Sequence, residues 1–189
     1  MFAPFRLESG RIVLRDWVDA DLEPFARLNA DPVFRRYFPS VQSREQSDGV
    51  ARRLRDDGHH GSMTFWPIEI PGLARFAGYA GLIQTSFEAP FTPCVEIGWG
   101  LDPAFWGQGY ATEAARAVLR YGFETLVLNE IVALTATINT PSRRVMERLG
   151  MHHNPADDFD HPRVEAGHPI QRHVLYRLPR ADWLAHSGG

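Results

Sequence analysis

Apolar residues change their spacing several times along the chain, and each change marks an element. Arg11 to Trp17 reads R-I-V-L-R-D-W after a glycine, a β-branched run that predicts a first strand. Asp19 is the expected cap of a helix running through Asn29, with Leu22, Phe25 and Leu28 along one face. Asp31-Pro32 sets an N-cap before a proline and opens a short segment from Val33 to Phe38, stopped by Pro39. Ser43 and Gln46 form a capping-box pattern before a polar, Arg-rich helix that ends near Gly58. The period then becomes extended: Thr64 to Ile70, a Pro71-Gly72 turn and Phe76 to Gln84 predict a hairpin, and Val95 to Leu101 a further strand.

Ala111, Ala114, Ala115, Val118, Leu119, Gly122 and Phe123 fall at helical spacing and predict a helix from about Gly109 to Leu126. Ile131 to Ile138 predicts a strand, Thr140-Pro141 the cap of a helix to Leu149, and Gly150 its stop. Strand, helix and strand in that order form a parallel crossover, so the fold class is mixed α/β. His152 to Gln171 shows no periodicity and is expected as a functional or mobile loop, followed by a closing strand from His173 to Leu178. No repeat or linker interrupts the chain, so residues 1–189 are expected as a single domain.

Composition narrows the chemistry. All 20 basic residues are arginine, because the 189-residue chain has no lysine. A lysine Schiff base and a phosphate-loop lysine are therefore excluded. The lone Cys94 excludes an internal disulfide and cysteine-rich zinc sites and fits a reducing compartment, so a cytoplasmic location is expected. The formal charge is −3 with arginines scattered among acids, which gives no reason to expect a nucleic-acid partner. No apolar run approaches a membrane span, and no membrane partner is expected.

Two stretches carry candidate chemistry. Trp106-Gly107-Gln108-Gly109-Tyr110-Ala111-Thr112 joins a strand to a helix N-terminus through two glycines. Unpaired backbone N–H groups and the positive dipole end converge there, and a diphosphate can approach glycine backbone closely. The same residues also fit an ordinary helix-entry turn. A dinucleotide fingerprint fits poorly, since Thr112 stands where a small third residue is needed and Glu130 precedes the next strand instead of ending it. On the preceding strand Val95, Ile97, Trp99 and Leu101 alternate to one face, leaving Glu96, Gly98 and Gly100 on the other. Bare glycine positions are expected to let an extended ligand lie along the sheet, with Glu96 at the end of that track as a proton acceptor. A solvent-facing glutamate is the structural alternative.

Taken together, V-E-I-G-W-G-L-D-P-A-F-W-G-Q-G-Y-A-T-E-A, then Asn139-Thr140-Pro141-Ser142 and R-V-M-E-R-L-G-M, resemble the acetyl-CoA-binding half of the GNAT acyltransferases. Within that family the resemblance is to the branch of the Rim-type ribosomal-protein N-terminal acetyltransferases, and N-A-D-P-V-F-R-R-Y-F-P at Asn29 to Pro39 resembles the same branch. The resemblance implies a twisted mixed sheet of about six to seven strands, split to admit acetyl-CoA, with helices on both faces. It implies acetyl-CoA as cosubstrate and no metal, with the diphosphate on the backbone of Gly107, Gln108, Gly109, Tyr110, Ala111 and Thr112. Pantetheine would lie beside Trp99, Gly100 and Leu101, whose backbone N–H groups would polarise the thioester carbonyl. Asn139 would contact the CoA arm, and Ser142 would protonate the leaving thiolate, although Ser142 also reads simply as a first-turn helix residue. Acceptor recognition would involve Phe34, Tyr37 and Phe38 with the 157–173 loop, including His161 and His173. Two positions depart from the family pattern: Trp106 replaces an Arg or Gln, and Met146 replaces the tyrosine that serves as general acid.

Amine basicity bears on the base. An α-amine of pKa about 8 is roughly a tenth neutral at pH 7, whereas a lysine amine of pKa about 10.4 needs about 4.6 kcal/mol to reach its neutral form. A carboxylate acting through water serves the former more easily. The expected function is N-acetyl transfer to a primary amine, on a protein N-terminus or a small molecule, by a monomer or homodimer. A non-catalytic CoA-binding regulatory module is the alternative, suggested by Met146. Asp157, Asp158, Asp160, His161, His168 and His173 match no metal-ligand spacing, so a solvated polar loop is expected.

Overall fold

The computed structural model describes residues 4–59 and 63–187. A hairpin opens the chain: β1 (Arg6–Ser9) turns at Gly10, φ +51°, into β2 (Ile12–Arg15). The R-I-V-L-R run is thus the second strand; β1 has a single apolar residue, Leu7, and leaves no pattern to read. Asp19 does not cap the next helix. The chain enters through a 3-10 turn, Asp19–Asp21, into α1 (Leu22–Ala30). Buried Asp21 accepts from Val18 N and, at 2.8 and 2.9 Å, from the Arg15 guanidinium.

Asp31 does cap, accepting from Val33 N at 2.8 Å, but α2 (Pro32–Arg35) ends before Phe38. The capping box at Ser43 and Gln46 is formed in both directions and starts α3 (Arg44–His59). The predicted hairpin is β3 (Phe65–Ile70) with β4 (Ala74–Gln84), and β5 (Val95–Leu101) pairs antiparallel with β4. Helix α4 (Tyr110–Arg120) runs on into a π-helical turn, Tyr121–Thr125, ahead of β6 (Glu130–Ala136). The cap of α5 (Thr140–Arg148) is Asn139 rather than Thr140.

The segment expected as an irregular loop is partly built. It holds β7 (His152–His153), a 3-10 turn at Pro155–Asp157 and β8 (Phe159–Asp160), before β9 (Arg172–Pro179) and a final helix α6 (Arg180–Ser187). Strands of two residues are too short to show a period, which is why the sequence reads as loop.

The sheet runs β1-β2-β3-β4-β5-β6-β9-β7, with β8 also on β9. Among the described residues it has nine strands, which exceed the expected six to seven through the short β1, β7 and β8. Helices α4, α5 and α6 cover one face, where Ile97, Leu119, Phe123, Ile131, Met146 and Leu178 are buried. Helices α1 and α3 cover the other through Trp17, Phe25, Ala51 and Leu54. Among the described residues, no helix is long and apolar enough to cross a membrane.

Candidate functional site

Every neighbouring pair of strands is antiparallel except β5 and β6, which are parallel and in register at one position, Glu96 opposite Val132. Beyond it β5 pairs only with β4, and β6 only with β9, so the sheet opens into a V toward the C-terminal ends of both strands. The inner edges of the V present strand backbone without a sheet partner, the situation in which an extended ligand with amide groups binds. Helices α4 and α5 start where β5 and β6 end, so two helix N-termini flank the opening at a topological switch point.

At the first of these, Gly107 has φ +74° and Gly109, the N-cap of α4, φ +84°. No side chain caps this helix, and residues 106–109 are exposed. Left-handed backbone at two positions turns successive N–H groups outward, and only glycine adopts it freely. Tyr110 is buried and its side chain belongs to the core, while Tyr110, Ala111 and Thr112 form the first turn of the helix.

The sequence reading missed a cation here. Arg11, at the β1–β2 turn, lies 3.6 Å from where a Gly109 Cβ would stand and 4.5 Å above the Tyr110 ring. Its guanidinium is 2.7 Å from Glu113 in the first turn of α4, neutralising an acid beside the cradle. Only hairpin packing brings Arg11 across 102 residues of sequence. Trp106 donates from Nε1 to Leu101 O at 2.8 Å and fastens the turn to the end of β5, with Arg36 5.1 Å from its ring.

Asn139 is committed on both ends of its amide. Oδ1 accepts from Ser142 N at 3.3 Å and Nδ2 donates to Thr135 Oγ1 at 2.8 Å. A contact from this amide to a ligand would compete with the cap. Ser142, partly buried, has no hydroxyl hydrogen bond among the described residues. Met146 is buried in the core, and Trp99 packs partly against it.

Glu96 projects to the opposite face, between Ile83 and Val132 in the same row of the sheet. Although the residue keeps some access to solvent, burial of its carboxyl pushes the pKa up to about 7, and no hydrogen bond to another described residue holds the anion. The expected ligand track over the glycines is not open. A Cβ on Gly98 would stand 2.8 Å from the Phe65 ring, and one on Gly100 2.8 Å from Tyr79 and 2.9 Å from Phe34. The missing side chains make room for rings, so a ligand must enter through the V rather than along the strand face.

Those rings form one wall. Phe34 is buried, stacked on Phe38 at 5.8 Å and edge-on to Tyr79 at 6.4 Å, while Tyr37 is more open and lies 5.0 Å from Arg36. Register puts His173 opposite Ala136 and Arg177 opposite Val132, so His173 shares the face of Glu96. At about 3.3 Å per residue it stands about 13 Å further along, out of contact with that carboxyl. His173 and His161 pack 4.8 Å apart in a cluster that the sequence did not announce, with Phe87, Phe91 and Phe159. Arg163 ties this cluster to the β4–β5 connection through Ser86.

Burial, with His173 and Arg163 adding to it, pulls the His161 pKa down to about 4, and burial lowers that of His173. Both imidazoles are therefore neutral at pH 7. A folded-state pKa below the unfolded 6.5 adds no stability change above pH 6.5 and withdraws stability as pH falls from there toward 4. Replacing His161 by Phe should flatten the fall in melting temperature between pH 7 and 5; an unchanged acid slope would refute this. Cys94 contacts Thr85 Oγ1 at 3.1 Å, and burial raises its thiol pKa, which makes it a poor nucleophile.

Comparison with known proteins agrees with this geometry. The family model of the acetyltransferase (GNAT) domain matches residues 11–152. The uncharacterized N-acetyltransferase YnaD of Bacillus subtilis is 48% identical over 174 residues, covering 92% of this chain and 96% of that protein. The FsC-acetyl coenzyme A-N(2)-transacetylase of Aspergillus fumigatus is 41% identical over 97 residues, 49% of this chain; the match spans only 39% of that longer protein. The crystal structure of a GNAT-family acetyltransferase from Bacillus anthracis superposes with a TM-score of 0.77 at 25% identity, covering 94% of this chain and 99% of that one. With the family match spanning most of the chain and a split mixed sheet whose strand ends meet a glycine cradle, the chain belongs to the GNAT acetyltransferases, acyltransferases that use acetyl-CoA.

Proposed function

We propose that this enzyme acetylates a primary amine, the α-amine of a protein N-terminus or of a small molecule, within the Rim-type branch of the family. The observation that carries the reading is the single Glu96–Val132 register point: Glu96 stands at the vertex of the V, with its side chain on the face opposite the cradle. In this reading the diphosphate of acetyl-CoA rests on the backbone of residues 107–112 and pantetheine enters the V beside Trp99, Gly100 and Leu101. The amine arrives from the Glu96 face, past Phe34, Tyr37 and Phe38 on one side and the His161–His173 cluster on the other.

Chemistry follows from the charge balance. The amine nitrogen attacks the thioester carbonyl once Glu96, directly or through water, has taken the ammonium proton. In this reading the backbone N–H groups of Trp99 and Leu101 polarise the carbonyl oxygen, since the alternation of the ladder turns them away from β4 while that of Gly100 is engaged there opposite Tyr79. The C–S bond then breaks, and the thiolate leaves as such or takes a proton from Ser142. A thiol pKa near 8.5 makes assistance a minor need, which is compatible with Met146 in place of a tyrosine.

Support for an amine with an α-amine-like pKa comes from matching, since a base of pKa about 7 is suited to it. The relative named as an N(2)-transacetylase agrees with nitrogen as the acceptor atom. Release of free CoA from acetyl-CoA, followed across an amine panel that includes peptides with free and blocked N-termini, tests the proposal. Amine-dependent release is expected; acetyl-CoA binding with no release for any amine would leave the regulatory-module reading in its place.

Arg11 offers a second check on the cradle. Substitution by Gln should raise the KM for acetyl-CoA about tenfold, the worth of one charge-assisted contact, and by clearly less for S-acetylpantetheine, which has no diphosphate. Equal effects on both thioesters would remove Arg11 from the phosphate site.

A further inference from the structure

Arg35, in the last turn of α2, has lost much of its water without gaining a counter-charge. Its Nε donates to Ser40 O at 2.9 Å and its plane lies 4.1 Å over Phe38, yet it forms no salt bridge among the described residues. Two other half-buried arginines are met by acids, Arg15 by Asp21 and Glu69 and Arg177 by Glu130 and Asp157, whereas Arg143 and Arg180 donate to the carbonyl oxygens of Thr137 and Phe123. Burial lowers the Arg35 pKa, the direction expected of a cation whose partner is missing.

The residue lines an open cavity of about 410 Å³ together with Ser40, Gln42, Gln46 and Arg53, and no acidic side chain lines it. Arg53, exposed on α3, also makes no ion pair among the described residues. Gln42 Oε1 is buried in this wall without a hydrogen-bond donor. Arg35 and Arg53 thus give this cavity positive charge that no lining acid offsets, on a chain of net charge −3. The cavity also adjoins the proposed acceptor wall, because Phe34, next to Arg35, packs against Tyr79 over Gly100.

We propose that this cavity is an anion subsite of the acceptor, so that the amine substrate carries a carboxylate that binds between Arg35 and Arg53. The carboxylate belongs either to an acidic side chain near the N-terminus of a peptide or to a free amino acid. Gln42 Oε1 accepts an N–H of the same molecule. The inference rests on the acetyltransferase reading and names the acceptor's chemistry within it.

The test separates the two. Titrating the C-terminally amidated peptides Ser-Glu-Glu-Ala and Ser-Gln-Gln-Ala into the protein with CoA present reads the subsite without turnover. Parallel acetylation assays on the same peptides read the reaction. The acidic peptide should bind about ten- to a hundredfold more tightly, the range of one or two charge-assisted hydrogen bonds. Arg53→Gln and Arg35→Gln should each remove most of that preference, and Arg53→Glu should turn it against the acidic peptide. Arg53 is exposed, so its variants address the subsite even where Arg35→Gln disturbs α2. Free glutamate titrating as tightly as the acidic peptide would support the subsite and assign it to a small acceptor. Equal affinity for the two peptides, binding of neither, or a preference that survives both substitutions overturns the inference. Preferential binding of the acidic peptide without acetylation of any amine would uphold the subsite and count against the acetyl-transfer reading instead.

Discussion

Glu96→Gln should lower kcat by about 10² to 10⁴ at pH 6.5 while leaving acetyl-CoA affinity nearly unchanged, the range for a lost general base. The side chain sits at the vertex of the V on the face opposite the cradle, so the substitution removes a proton acceptor without touching the diphosphate site. In the wild type, kcat/KM should rise with pH up to about 7, where the carboxyl becomes ionised, and this limb should vanish in the variant. The defect should shrink as pH passes the acceptor's own pKa, because the amine is then already neutral. Stability supplies a readout independent of turnover. Below the unfolded value of 4.5 the carboxyl is neutral in both states; above its folded pKa of about 7 it is charged in both, and the fold bears the whole desolvation penalty. Glu96→Gln should therefore raise the melting temperature at pH 8 and leave it little changed at pH 4. Wild-type kcat at pH 6.5, with saturating acceptor and chemistry rate-limiting, would reduce Glu96 to a positioning residue and leave solvent as the base.

Gly109→Val should weaken acetyl-CoA binding by about a hundredfold or more, read as the shift in Kd or in ligand-induced Tm. Space inside the protein is not the reason, since the nearest atom to an added Cβ is the Arg11 guanidinium at 3.6 Å. The reason is φ of +84° at the N-cap of α4, a conformation that a β-branched residue avoids. Relaxing it rotates the first N–H groups of the helix away from the point where they converge. Each 1.4 kcal/mol lost among those contacts is a factor of ten. Gly109→Ala should fall between, with the same backbone objection and less bulk. A folded Gly109→Val protein that binds acetyl-CoA normally would remove the cradle from residues 107–112.

Local pattern determined most elements, because capping and periodicity are short-range properties. The Asp31 cap, the Ser43–Gln46 box, the β3–β4 hairpin and the α4 entry glycines stand where the sequence put them. It erred where a contact decided the role. Asp21 became a buried partner of Arg15 while Asp19 lost its cap, and Asn139 took the cap expected of Thr140. Strands β7 and β8 exist because β9 offers an edge, which two residues cannot advertise.

For the site, the sequence by itself determined the composition of the cradle and the face on which Glu96 lies, since both follow from backbone preference and a period of two. Four things were left to tertiary structure. The glycines on the face of Glu96 accommodate Phe65, Tyr79 and Phe34, Arg11 reaches the cradle, Phe87 and Phe91 join the histidine cluster, and Arg35 lies half-buried without an acid. The physical reason is common to all four. Which side chain fills a space or pairs a charge depends on residues tens of positions apart, and packing rather than local propensity brings them together.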